Sequence, residues 1–252
     1  ACVSIVLSCS NKVLNTSIEV IELRSDAQYF EIKEQKIKYI GSSVNIAFKD
    51  DYKMYIVLRK NYQTKDIYDD KNHTLTSTVV SVDTSFSYYV IKNGAKTGLV
   101  YGRNKENKFT GKMFHLDTLL KDHTMDSESY KDLSLAIGTP IETIKINDAK
   151  KIEKYLYPKT KKSDPDSVYR YYDSNFKHLN FTFSDALDKK ERSKLVKTQV
   201  VYNPSYDLIN NHNTYIPRRE INWLLKKGNH PNEILLKYFE KFIKDSEKLK
   251  LR

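Results

Sequence analysis

Cysteine occurs at two positions, Cys2 and Cys9, and both lie in the opening stretch. The rest of the chain therefore has no material for a disulfide, a cysteine-ligated zinc, an iron–sulfur centre or a cysteine nucleophile. A thiol-free body also suits an oxidising compartment. Glycine is scarce, 7 in 252 residues, which leaves little for the turns that cradle nucleotide phosphates. No G-x-S-x-G, H-E-x-x-H or glycine-rich phosphate loop occurs. No run of 18 consecutive apolar residues occurs either, so the sequence encodes no membrane-spanning helix.

What is present is enough for a core in one large domain or two small ones: 39% hydrophobic residues and 12% aromatics. Nineteen of the residues are Tyr, and aromatic and β-branched side chains pack well on a pleated surface, which favours sheet. The net charge of +11 suits an anionic partner such as lipid headgroups, an acidic glycan or nucleic acid. Few of the 43 basic residues are Arg, the fork that reads phosphates and bases, and the lysines are interspersed with acids. Nucleic acid is thus the weakest of these partner classes.

Period-two patterning begins at Ile18 and recurs through Ser17–Arg24, Tyr29–Lys33, Lys36–Ile40, Val44–Phe48 and Tyr52–Leu58. Residues 59–73 are polar and predict an exposed loop, followed by a strand over Leu75–Val82. Asn93-Gly94, set between the apolar runs Phe86–Ile91 and Leu99–Tyr101, is a hairpin signal, because both turn positions need positive φ. Gly98 marks a bulge or a close approach. Further strands are expected at 109–116, 139–146, 168–172, 179–183 and 195–202. A short helix is expected from Ala149 to Tyr157, capped by Asp148 and stopped by Pro158. Lys159–Asp166, charged and Pro-containing, is the candidate internal boundary.

The C-terminus changes character. Pro217, the stripe Ile221, Leu224 and Leu225, and Gly228 predict a helix with a Pro start and a Gly stop. A second helix follows Pro231 and runs to about Lys248, with Ile234, Leu235, Tyr238, Phe239, Phe242 and Ile243 on one face. Lys237, Lys241, Lys244 and Lys248 form a ridge along it, a candidate surface for an anionic membrane or a protein partner. The interleaved acids favour the plainer reading, a helix docked on the sheet with its lysines in water. The fold class expected is α+β: mainly antiparallel β-sheet with two C-terminal helices packed on it.

His115, Asp117 and His123 are the residues with metal-ligating chemistry that lie near one another in sequence. Exposed loop histidines are the commoner outcome, and neither a metal nor another cofactor is expected. No residue is singled out as catalytic.

At the front, Val3–Leu7 is apolar, Ser8 and Cys9 follow, and Ser10–Ser17 is polar. This reads as the downstream half of a secretory signal peptide. Val6-Leu7-Ser8-Cys9 resembles the lipobox of bacterial lipoproteins, with Leu7 standing where that pattern prefers Ala or Ser. The resemblance implies that Cys9 is lipidated, that acyl chains hold the protein to a membrane of the bacterial cell envelope, and most simply to the outer membrane. The organisation expected is a signal-peptide remnant over 1–8, a lipidated cysteine and tether over 9–17, a β-rich domain over 18–216 and a helical segment over 217–252. The function expected is a non-catalytic binding or assembly component of the envelope, with an anionic envelope component or a protein as partner. An envelope hydrolase with a carboxylate or His site is the first alternative, and a basic nucleic-acid-binding protein the second.

Overall fold

The computed structural model describes residues 18–69, 74–102, 111–123, 138–179, 181–209 and 212–249. Thirteen strands and three α-helices lie among them. The first six strands form a meander: β1 (Glu19–Glu31), β2 (Lys36–Lys49), β3 (Tyr52–Asp69), β4 (Thr74–Lys92), β5 (Thr97–Tyr101) and β6 (Lys112–His115). A second meander runs through β7 (Glu142–Lys145), β8 (Lys150–Leu156), β9 (Ser167–Asp173) and β10 (Lys194–Tyr202). After a separate two-stranded excursion, β11 (Ser205–Ile209) and β12 (His212–Ile216), β13 (Arg219–Lys227) joins the halves. The result is one antiparallel sheet in the order β6-β5-β4-β3-β2-β1-β13-β10-β9-β8-β7. The expected α+β class, mainly antiparallel sheet, is what the structure has.

Four expectations are corrected, the first being the strand over 179–183: Leu179 and Phe181–Phe183 lie in no strand and instead pack as a connecting stretch against the core. The predicted helix after Pro217 is β13, hydrogen-bonded to β1 on one side and β10 on the other, so a single C-terminal helix remains. In β13 only Leu225 is buried and its neighbours are mostly half-buried, so Ile221, Leu224 and Leu225 stand at spacings that a helix and a strand can share. The predicted helix over Ala149–Tyr157 is β8, where Ile152 and Tyr155 lie in the ladder with β9. The predicted loop over 59–73 is strand as far as Asp69, paired with β4 from Thr74 onward.

Local chemistry sets the turns. The hairpin between β4 and β5 falls at Asn93-Gly94 as expected, but only Gly94 takes a positive φ, +80. The Ala95 N–H donates to the Lys92 carbonyl at 3.1 Å within a four-residue connection rather than a turn with two positive angles. Gly98 is a close approach: a Cβ there would stand 2.3 Å from the Val90 carbonyl oxygen. Lys159–Asp166 is the loop between the paired strands β8 and β9. There the Asp164 carboxylate accepts from the Thr160 and Lys161 N–H groups at 2.8 and 2.7 Å.

The sheet carries an apolar cluster on each face. Val20, Ala47, Met54, Ile56, Tyr88, Val90, Leu99 and Tyr101 face α3 (Asn232–Lys248), which supplies Leu235, Tyr238, Phe239 and Phe242 at one-turn spacing. Tyr238 stacks on Tyr88 at 4.0 Å between ring centroids, and Phe242 meets Tyr52 edge-on at 5.8 Å. Each such side chain, fully buried, contributes roughly 1.5–3 kcal/mol. The far face holds Ile21, Leu23, Val44, Ile46, Tyr55, Val57, Ile91, Leu195 and Leu225. It is covered by Leu119 of α1 (Leu116–Asp122), Leu187 of α2 (Asp185–Glu191), and Leu179 and Phe183 of the connecting stretch.

The ladder between β2 and β3 stops at Asn45 and Ile56, and β5 reaches β4 only as far as Tyr88. Beyond those points, β3 and β4 pair with each other as a two-stranded arm, with no third strand beside them among the described residues. One arm face, continuous with the α3 face, carries exposed Leu58, Tyr62, Val79, Val82 and Phe86. The other carries Arg59, Gln63 and Lys65.

Candidate functional site on the far face of the sheet

Register places the far-face side chains in rows that cross the central strands. One row runs Glu153, Arg170, Thr198, Trp223, Ser25, Ser42, from β8 through β9, β10, β13 and β1 to β2. The next runs Tyr155, Val168, Val200, Ile221, Ala27, Ile40. Two residues further along each strand, Arg219 lies opposite Tyr202, and Tyr29 opposite Lys38. The rows differ sharply between their two ends.

At the β1–β2 end the side chains are small where their neighbours are large. Ser25, Ala27 and Ser42 form a floor, and Trp223, Ile221 and Ile40 stand around it, leaving a cavity of about 460 Å³ that opens to solvent. That volume lies within the usual range of small-molecule sites, about 300–1,000 Å³, and so does its mostly apolar lining. The two floor hydroxyls, Ser25 and Ser42, hydrogen-bond each other at 2.9 Å, so one of them spends its donor on the other, which keeps its own.

At the β8–β9 end the face is ionic and closed. Lys151 Nζ donates to Glu153 at 2.6 Å and also pairs with Glu191 of α2, and the Tyr155 hydroxyl donates to Glu153 at 2.5 Å. The Arg170 guanidinium lies 4.8 Å over the Tyr155 ring. Burial alone would raise the Glu153 carboxyl, but hydrogen bonds from Lys151 and Tyr155 outweigh it and hold the group below its ordinary range. Burial, reinforced by Glu153, pushes the Tyr155 hydroxyl up to about 12. Glu153 is thus a fixed anion on β8, and Lys151 carries the ion-pair network on to Glu191 of α2.

A second cavity, of about 360 Å³, lies beside this bank and holds Lys145, Lys150, Lys151, Lys177 and Arg192. Lys145 pairs with Asp148, Lys150 with Asp173 and Lys151 with Glu191, so most of its positive charge is already compensated.

The residues expected from sequence fall elsewhere. His115 and Asp117 are exposed, one at the N-terminal boundary of α1 without a side-chain capping bond and the other in its first turn, and His123 is half-buried at the opposite end of that helix. Burial and Arg59 push the His123 imidazole down, against the pull of Asp122. Among the described residues no three His, Cys, Asp or Glu side chains gather as a metal site would require. Lys237, Lys244 and Lys248 are exposed on α3. Lys241 leaves the ridge: it lies 5.6 Å over the Tyr101 ring and 3.2 Å from Asp245. The apolar face of α3 is occupied by the sheet. Cys9 lies outside the described residues. Sequence reasoning passed over the slot, although Leu23-Ser25-Ala27 and Ile40-Ser42-Val44, small residues at core-facing positions, carry its trace.

No protein-family model matches the chain, and no curated protein is significantly similar to it.

Proposed function

We propose that this chain is the folded part of a lipid-anchored protein of the bacterial cell envelope, held by Cys9 to the outer membrane. In this reading it is a non-catalytic binding component whose ligand enters the far-face slot. The slot carries the reading: an open, mostly apolar cavity of about 460 Å³, floored by Ser25, Ala27 and Ser42 and walled by Trp223, on a face where Lys151, Glu153 and Glu191 are locked in ion pairs. The anchor rests on Val6-Leu7-Ser8-Cys9, the polar stretch after it, and a body without cysteine.

Two measurements test the halves separately. Radiolabelled palmitate should enter the protein in cells and be lost in Cys9→Ala; incorporation that survives the substitution sinks the anchor. Trp223 is the chain's single tryptophan and lines the slot, so its emission should shift when an apolar ligand binds. Ala27→Leu, which fills the floor, should remove that response. A series of apolar and amphipathic molecules that leaves Trp223 unchanged overturns the binding role.

A further inference from the structure

The lining of the slot includes Asp26, which is held by Arg24 at 2.9 Å, and beyond that lining, two residues along β13 from Ile221, the far face carries a cation. Ile221 and Trp223 project from β13 onto the far face, and strand alternation puts Arg219 on that face too, four residues from Trp223. At about 3.3 Å per residue, that sets the Arg219 and Trp223 positions about 13 Å apart along the strand. Arg219 is half-buried; its guanidinium lies 5.1 Å from the Tyr202 ring, and its Nε is buried without a hydrogen-bond acceptor.

Its neighbours do not neutralise it. Among the described residues no carboxylate pairs with Arg219, whereas Arg218 beside it is held by Glu220 at 2.7 Å. Glu220 projects to the opposite face and is also engaged by the Gln199 amide at 2.6 Å. Lys38, the other far-face cation at this level, is taken by Glu34 at 2.7 Å and lies 3.8 Å from Glu31. A half-buried guanidinium with an unused donor is costly to leave unmatched, and a carboxylate or phosphate is the group its fork geometry fits.

We infer that the slot takes an amphipathic anion, its apolar chain lying over Ser25, Ala27 and Ser42 against Trp223 and Ile221, and its acid head on Arg219. The inference rests on the slot being the binding site, and adds the ligand's class. The floor is made of small side chains whose two hydroxyls partly satisfy each other, which suits an aliphatic chain, and about 13 Å suits one of medium length. The head chemistry is shared by fatty carboxylates and monoalkyl phosphates.

The test is a titration followed by Trp223 emission, with dodecanoate, dodecyl phosphate, 1-dodecanol and dodecyltrimethylammonium, each below its micelle-forming concentration. The wild-type chain should bind the two anions at least about tenfold more tightly than the alcohol or the cation, since a hydrogen-bonded charge is worth that factor or more. Arg219→Gln should remove the preference and leave the alcohol's affinity unchanged, and Arg219→Lys should keep part of it. Ala27→Leu should abolish binding of all four, with an unchanged circular dichroism spectrum showing that the variants fold. Equal binding of anion and alcohol, or an anion preference that survives Arg219→Gln, overturns the assignment of the head while the slot itself stands. No binding of any of the four removes slot and ligand class together. The ratio of dodecanoate to dodecyl phosphate affinity identifies which acid is the better ligand.

Discussion

On the α3 face a single helix lays Leu235, Tyr238, Phe239 and Phe242 across the sheet, and the contact is aromatic and apolar apart from Lys241 over the Tyr101 ring and Asp245 accepting from the Tyr101 hydroxyl. On the far face the covering comes from short pieces, α1, α2 and the stretch between β9 and α2, and beside it stand an ionic bank at β8–β9 and an uncovered slot at β1–β2. The difference follows from what each face is made of. A long amphipathic helix closes a surface in one step, with its energy in buried area. A face built from separate loops can leave a gap where the side chains are small and can hold charge where partners converge. Binding chemistry belongs on the second kind of face, and stability on the first.

The comparison can be broken from either side. Phe239→Ala should have the largest effect, a loss of about 3–5 kcal/mol, because Phe239 is fully buried under α3 and its removal leaves a cavity. Urea midpoints at constant m-value would read it, and a loss under about 1 kcal/mol would mean that α3 is not a closed core.

Glu153→Gln comes next, at about 1–3 kcal/mol, because the Lys151 ammonium keeps Glu191 but loses its second carboxylate, and the buried Tyr155 hydroxyl loses a charged acceptor. This loss should depend on pH. The folded Glu153 carboxyl lies below its ordinary value, so the native state holds fewer protons than the unfolded chain in that window. Its stabilisation is complete above the ordinary glutamate pKa and is lost as pH falls from there through the folded value. The gap between wild type and Glu153→Gln should therefore close on acidification below about pH 4.5.

The α3 face should begin to weaken at higher pH. Burial pushes His230 down, and the imidazole sits edge-on to Phe86 and Tyr88 at 5.6 and 5.9 Å. The unfolded chain takes up that proton first, so stability should decline as pH falls from about 6.5 through the folded value. His123, also pushed down, adds to the same limb. His230→Phe should flatten part of it, and an unchanged slope between pH 7 and 5 would contradict the burial argument. The smallest effect belongs to the arm. Val82→Thr, on its exposed face, should change stability by no more than about 0.5 kcal/mol.

Much of the fold was legible. Asn93-Gly94 announces its hairpin and the Leu235–Phe242 stripe announces α3, because each signal is local and each agrees with its surroundings. β13 and β8 were misread because a half-buried strand and an amphipathic helix can share apolar spacing; the β1 ladder that decides β13 lies about 200 residues away, whereas β8 pairs with its own neighbours β7 and β9. The outer half of β3 was misread because its polar face and exposed apolar face give neither a core pattern nor a turn. The slot was not legible as a site at all. Ser25, Ser42, Ile221 and Trp223 meet only through the registers of β2–β1 and β1–β13, separated by nearly the whole chain.

The place of β1 in mid-sheet has a consequence for how the protein assembles. β1 is the first described strand, yet its second neighbour is β13, about 200 residues later. A nascent chain can form the β1–β6 meander early, but it must then wait, with the β13-facing edge of β1 unpaired and Ile21 and Leu23 only partly covered, until almost all the chain has been made. Contacts so distant in sequence make for slow folding and a long interval in which that edge is open to wrong partners. Completion of the sheet is therefore a late event, and a chain cut short before Arg219 should fail as two unjoined halves rather than as one slightly smaller domain.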